Sequence, residues 1–249
     1  MSQRYFVEQP ITSTHVRIAG AEAHHLLHVM RGQRGQMVEL FDGSGNEFQA
    51  EICGGGRDWV DLSVKSSAAI DRELASALEV AVALPKGDRQ RILVEKLVEL
   101  GVSSLVPLIT ARGVAQWSDQ VRTRLKRCAI EASKQCGRNR LMKIGEPMKC
   151  ESFFSGDSSY SSKLIAHPGG QPISVIAWSA PVAIAIGPEG GFTNEEFRIA
   201  VKNRWQPIHL GPRILRVETA ALFVSAIASA RMNNEIQSAG APTPRTQTT

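Results

Sequence analysis

Ala-Ile-Ala-Ile-Gly-Pro-Glu-Gly-Gly-Phe-Thr (183–193) and Leu-Gly-Pro-Arg-Ile-Leu-Arg-Val-Glu-Thr-Ala (210–220) decide the fold of this chain. Each is an apolar run that stops at a glycine-bearing loop and passes into a helical pattern. α/β proteins build ligand pockets in this way, at the carboxyl ends of their strands. A third run ends alike, Leu164-Ile165-Ala166 into His167-Pro168-Gly169-Gly170. In a parallel sheet the three loops share one edge. A pocket walled by Gly/Pro loops offers backbone N–H and C=O groups at close range, which suits a purine and a ribose rather than a triphosphate. No Walker motif is present, because Pro85-Lys86-Gly87-Asp88 has its residues in the wrong order and no preceding glycine loop.

Outward from this region the helix and strand periods alternate. Leu78 to Leu84 and Ser104 to Ile109 read as strands, as do Lys163 to Ala166, Val182 to Ile186 and Pro207 to Leu210. Asp88 caps a helix that Gly101 stops, and Val121, Leu125, Cys128, Ala129 and Ala132 share a face of another. Thr193 with Glu196 forms a capping box, and a closing helix runs from about Glu218 to Met232. Continuous apolar strands between helices predict a parallel sheet covered on both faces. The first sixty residues instead carry short alternating runs around Tyr5, Val16, Met37, Phe48 and Trp59, one helical piece from Ala21 to Met30, and glycine turns at 42–45 and 54–56. They predict a small β-barrel, with Ser66 to Ser76 as a linker. The domains are therefore placed at 1–70 and 71–236, followed by a polar, disordered tail at 237–249.

The chain has 249 residues, 43% of them hydrophobic, enough for a substantial core. No apolar stretch reaches the length of a membrane span, and the start lacks a signal-peptide pattern, so a soluble cytoplasmic protein is expected. Cys53, Cys128, Cys136 and Cys150 form no C-x-x-C pair, which points to reduced thiols rather than a metal or disulfide framework. His24 and His28 have metal spacing but no third ligand, so packing or RNA contact is expected and no metal. The net charge of +5 is unevenly spread, with Arg122, Arg124, Lys126, Arg127, Lys134, Arg138 and Arg140 in one segment. Such a run is either a solvated helix face or an RNA contact.

With these residues in view, the chain resembles the RsmE family, the uridine-N3 methyltransferases of 16S ribosomal RNA in the SPOUT superfamily. The resemblance is carried by Leu84-Pro85-Lys86-Gly87-Asp88-Arg89, by Glu131 to Asn139, and by the two quoted stretches. In the first domain, Arg4-Tyr5-Phe6 and His25 to Arg31 resemble the family's PUA-like RNA-binding barrel. The resemblance implies an α/β SPOUT methyltransferase domain with a C-terminal trefoil knot, a homodimer, and S-adenosylmethionine as methyl donor. Carried over, donor contacts would be Leu164, His167 and Pro168; Gly187, Pro188, Glu189 and Gly190; and Leu210, Gly211, Ile214, Leu215, Arg216 and Ala220. RNA contacts would be Arg4, His25, Arg31, Arg124, Lys126, Arg138 and Asn139, and the partner the small ribosomal subunit.

N3 methylation needs a group that takes the imide proton and one that stabilises charge spreading onto O2 or O4. Arg216 and Arg138 are the candidates for the charge, and Glu189 or Glu218 for the proton. Glu189 could equally accept a ribose hydroxyl, and Glu218 could serve the dipole of the closing helix. Two other classes stand beside this one: an RNA-binding protein without catalysis, against which the intact pocket counts, and a dehydrogenase, for which the G-x-G-x-x-G element is missing.

Overall fold

A computed structural model describes residues 4–114, 116–156 and 159–239, with side chains up to residue 233. Its contacts divide the chain into two units, residues to Glu73 with Arg127–Leu141, and Leu74–Lys126 with the chain from Met142 onward. Residues 240–249 of the polar tail lie outside the described residues.

The first unit is a five-stranded sheet, β1 (Arg4–Phe6), β2 (His15–Ala19), β3 (Met37–Phe41), β4 (Asn46–Gly55) and β5 (Trp59–Ala69), in the order β1-β3-β4-β5-β2. Neighbours are antiparallel except β1 and β3, whose pairing is parallel. Inward residues such as Tyr5, Val38, Leu40, Ala50, Ile52, Val60 and Leu62 make its core. The predicted helical piece is α1 (Gly20–His24) running into a π-helical turn, His25–Val29. The predicted linker is corrected at its start, since residues 66–69 continue β5 against β4. The small residues there, Ser66, Ser67, Ala68 and Ala69, form an exposed ladder end and leave no alternating apolar pattern to read.

Residues 127–141 join this unit through Arg4. Its guanidinium donates to the carbonyls of Ser133 (2.7 Å) and Arg138 (3.1 Å), to Asn139 Oδ1 and to Glu39. Arg138 in turn clasps Glu73, with Nε 3.0 Å from Oε1, and Asn139 donates to the carbonyl of Ile70 at 3.0 Å.

The second unit is a wholly parallel sheet of β6 (Leu78–Val82), β7 (Ser104–Ile109), β8 (Lys143–Ile144), β9 (Met148–Lys149), β10 (Ser162–Pro172), β11 (Val182–Ile186) and β12 (Gln206–His209). Its order is β12-β10-β11-β6-β7-β8, with β9 also paired to β7. Around it lie α2 (Arg89–Glu99), the first part of α3 (Asp119–Cys136), α4 (Cys150–Ser155), α5 (Asn194–Lys202) and α6 (Val217–Ala239). All five residues of β11 are buried, as expected of a strand covered on both faces. Ala183 and Ala185 meet a cluster with Phe154, Phe192, Ala200 and Trp205, while α6 packs against α2, β6 and β11. Burying each large side chain stabilises the fold by about 1.5–3 kcal/mol before entropy is charged. β8, β9 and α4 were not foreseen, being too short to show a period. α6 starts one residue early and extends past Met232 to Ala239.

β10 departs most from expectation. Ala166 and Gln171 both register with Ile208 of β12, so residues 167–170 leave the ladder as a loop and return to it. The expected strand end is therefore an excursion within a longer strand.

Candidate functional site

The excursion from β10, the turn after β11 and the loop after β12 enclose one cavity of about 570 Å³. They can meet because the three strands are parallel neighbours, which puts their carboxyl ends on one edge.

In the first loop the His167 ring stacks on Phe197, with centroids 3.9 Å apart and planes at 19°. Its Nδ1 accepts the N–H of Gly169 at 3.1 Å, and burial pushes its pKa below the ordinary value, favouring the neutral ring that this bond requires. Gly170 ends the excursion, and a Cβ there would lie 2.5 Å from the backbone nitrogen of Ile208. Only glycine permits that approach.

The second loop is a tight turn, with the Gly191 N–H on the Pro188 carbonyl at 2.8 Å and Gly191 at φ +68. Phe192 then turns inward, and α5 begins with the capping box, Thr193 accepting from Glu196 N–H and Glu196 from Thr193 N–H at 2.6 Å. The other Glu196 oxygen accepts the N–H of Ala111 at 2.7 Å. Burial alone would raise this carboxyl's pKa, but the Thr193 and Ala111 N–H groups hold it below the usual range. One carboxylate thereby ties the loop after β7 to the loop after β11. Arg112 strengthens the tie, donating to the Gly190 carbonyl at 2.7 Å.

Glu189 projects at the rim. Its pKa is lowered, first by a hydrogen bond from its own backbone N–H; burial opposes this, and the Arg89 hydrogen bond with the charges of Arg89 and Arg216 adds to the lowering. Arg89 bonds it at 2.9 Å and also lies 3.6 Å from Oε2 of Glu218, a buried oxygen with no hydrogen-bond partner. In the third loop the His209 Nδ1 accepts the Gly211 N–H at 3.2 Å, the same device as His167. Gly211 has φ +105, which favours glycine. Ile214 is 96% exposed at the mouth.

Of the expected donor contacts, His167, Pro168, Gly187, Pro188, Glu189, Gly190, Leu210, Gly211, Ile214, Leu215 and Ala220 all line the cavity. Leu164 does not. It is fully buried between Ile184 and Gln206, where the inward alternation of β10 puts it in the core, so it supports the pocket from behind. Arg216 is exposed just before α6 and outside the lining, but its charge reaches Glu189. Arg4, Arg138 and Asn139 are buried and fully engaged within the first unit. This corrects their reading as RNA or reaction contacts, because a side chain closed off from solvent cannot meet RNA. His25 is half-buried with its Nδ1 unpartnered beside Tyr5. Arg31, Arg124 and Lys126 remain exposed, Arg124 donating to Gln90. Arg112, Phe192, Asn194 and His209 line the cavity unforeseen. Only their place could have flagged them, His209 at the end of β12 and the others three to eight residues past a strand end.

A family model for an RNA methyltransferase domain matches residues 72–229, and one for an RNA methyltransferase PUA domain matches residues 18–64. The ribosomal RNA small subunit methyltransferase E of Bacillus subtilis is 30% identical over 246 residues, covering 90% of this chain and 95% of its own. The chain belongs to the ribosomal RNA small subunit methyltransferase E family. A crystal structure of that family from Neisseria gonorrhoeae, bound to S-adenosyl methionine, superposes with a TM-score of 0.83 at 26% identity, covering 94% of this chain and 98% of its own. A Legionella pneumophila methyltransferase solved in complex with the bound cofactor SAM gives a TM-score of 0.87 at 29% identity, over 93% and 98% of the two chains. The fold is thus the α/β SPOUT arrangement with an N-terminal PUA-like domain, as the family resemblance implied.

Proposed function

We propose that the protein transfers a methyl group from S-adenosylmethionine to N3 of a uridine in the 16S RNA of the small ribosomal subunit. The observation that carries this reading is the single cavity built by three Gly/Pro loops, in a chain of this family. The residues suit the donor. Pro168, Ile186, Leu210 and Leu215 offer apolar walls for an adenine, the glycines keep the loop backbones close to the cavity, and Glu189 provides an ionised acceptor for hydroxyls or an ammonium. S-adenosylmethionine supplies an electrophilic methyl already activated on sulfonium, so much of the protein's share is positioning.

Arg216 suits the stabilisation of negative charge developing on a uridine carbonyl, as an exposed cation just before α6. Glu189 is a weak base in this setting, because its neighbours favour its ionised form, so its role is binding rather than proton removal. The reading extends to the trefoil knot, the homodimer and the cytoplasm that the family implies. No helix among the described residues is long and apolar enough to cross a membrane.

Labelled S-adenosylmethionine and small subunits lacking the modification provide the test, with the product base mapped by mass spectrometry. Label at N3 of one uridine is expected, and Arg216→Ala should lose transfer while still binding donor by calorimetry. Absence of donor binding in the unaltered protein would overturn the pocket assignment.

A further inference from the structure

Arg89 opens α2, and both the turn after β11 and the first turn of α6 reach it. β6 and β11 are parallel neighbours over Leu78–Val82 and Val182–Ile186, and the Ala83 N–H donates to the Ile186 carbonyl at 3.0 Å. The chain entering α2 and the turn after β11 therefore leave the sheet side by side. α6 packs against α2. Nη1 of Arg89 lies 2.9 Å from Oε1 of Glu189 and 3.6 Å from Oε2 of Glu218, so one nitrogen faces a carboxylate on each of the other two segments.

Arg89 stands on a fixed base. Its neighbour Gln90 is buried, donates to the Pro85 carbonyl at 2.8 Å and accepts from Arg124. Leu93, Val94, Leu97 and Val98 bury the inner face of the same helix. Side chains on a packed helix hold their places more closely than those on loops.

Glu189 lacks such a base. It sits in the turn with Pro188, Gly190 and Gly191, and its side chain is 44% exposed. Alone, it would sample many rotamers, and a ligand would have to bear the entropy of ordering it. Arg89 removes that freedom in advance. Glu218 in turn keeps Arg89 within reach, because it is only 8% exposed and its Oε2 has no hydrogen-bond partner. Withdrawing the cation that faces such an oxygen is costly. An exposed ion pair contributes little to folding by itself. As a brace on a cavity rim, its effect falls on binding.

We propose that Arg89 is a positioning residue for the methyl donor: held between Glu218 and Glu189, its guanidinium fixes the Glu189 carboxylate at the cavity rim, where that carboxylate accepts from a hydroxyl or the ammonium of S-adenosylmethionine. This rests on the methyl-transfer reading above and adds the residue that preorganises its donor site.

The test is calorimetry of S-adenosylmethionine on the unaltered protein, Arg89→Ala, Arg89→Lys, Glu189→Ala and the Arg89→Ala, Glu189→Ala double variant, with denaturant unfolding to confirm that each is folded. Arg89→Ala is expected to weaken donor binding roughly 3- to 10-fold. Arg89→Lys should recover most of that loss, because the contact to Glu189 runs through a single nitrogen. With Glu189 already replaced, removing Arg89 should cause no further loss. Equal losses from Arg89→Ala with and without Glu189 overturn the proposal, since the arginine then acts on the donor or the fold directly. An Arg89→Lys variant no better than Arg89→Ala overturns it as well. So does unchanged donor binding in Arg89→Ala, and so does tighter binding, which would make Arg89 a competitor of the donor for Glu189. If the unaltered protein binds no donor, the methyl-transfer reading falls and this inference with it. If it binds donor but transfers no methyl group to small subunits, that reading alone falls, and the binding series still decides the role of Arg89.

Discussion

Gly170 and His167 show how single residues shape the cavity proposed for the donor. A methyl group on Gly170 would meet the backbone of Ile208 at 2.5–2.6 Å, and backbone cannot step aside as a side-chain tip can. Gly170→Ala is therefore expected to destabilise the fold by about 1–3 kcal/mol and to weaken donor binding, to be checked by denaturant unfolding and calorimetry. His167 holds its loop through a neutral Nδ1 that accepts from Gly169. Burial lowers its folded pKa below 6.5, so the contribution is complete above that value and is lost as pH falls through the lower folded one. Donor affinity measured from about pH 8 down to about pH 5 should decline on the acid side. His167→Asn keeps an acceptor for the same turn without a titrating ring, and should flatten part of that decline. Equal slopes would remove His167 from the account.

At the scale of elements, the start of α5 matters beyond its own helix. The Thr193 and Glu196 pair satisfies the first N–H groups of α5, and the same Glu196 holds Ala111 after β7. Thr193→Ala should cost about 1 kcal/mol, a fall of about 2–4 °C in Tm, which Thr193→Ser should largely restore. The pair was legible in the sequence because capping is local, with both partners three residues apart. The attachment of Glu196 to Ala111, 85 residues away, was not. The same division appears in β10. Its apolar start was readable, but the looped-out 167–170 segment depends on β12 accepting the chain twice at Ile208.

Across the whole molecule, exposed cations on α3 are expected to meet RNA phosphate. Lys126→Ala should weaken subunit binding for any sequence and lower the salt slope by about 1, and an unchanged slope would return α3 to a solvated face. Arg124→Ala is a less clean variant, because that side chain also bonds Gln90.

The sequence by itself determined the two kinds of domain, the parallel order of apolar strands and helices, and the three Gly/Pro loops that line the cavity, since periodicity, glycine turns and caps are written in neighbouring residues. Only the tertiary structure decided that Leu164 faces the core, that Arg4, Arg138 and Asn139 close on one another, and that Arg112 reaches the Gly190 carbonyl. A side chain's exposure is set by what packs against it. For these residues the packing partners lie far along the chain, where no local pattern can announce them.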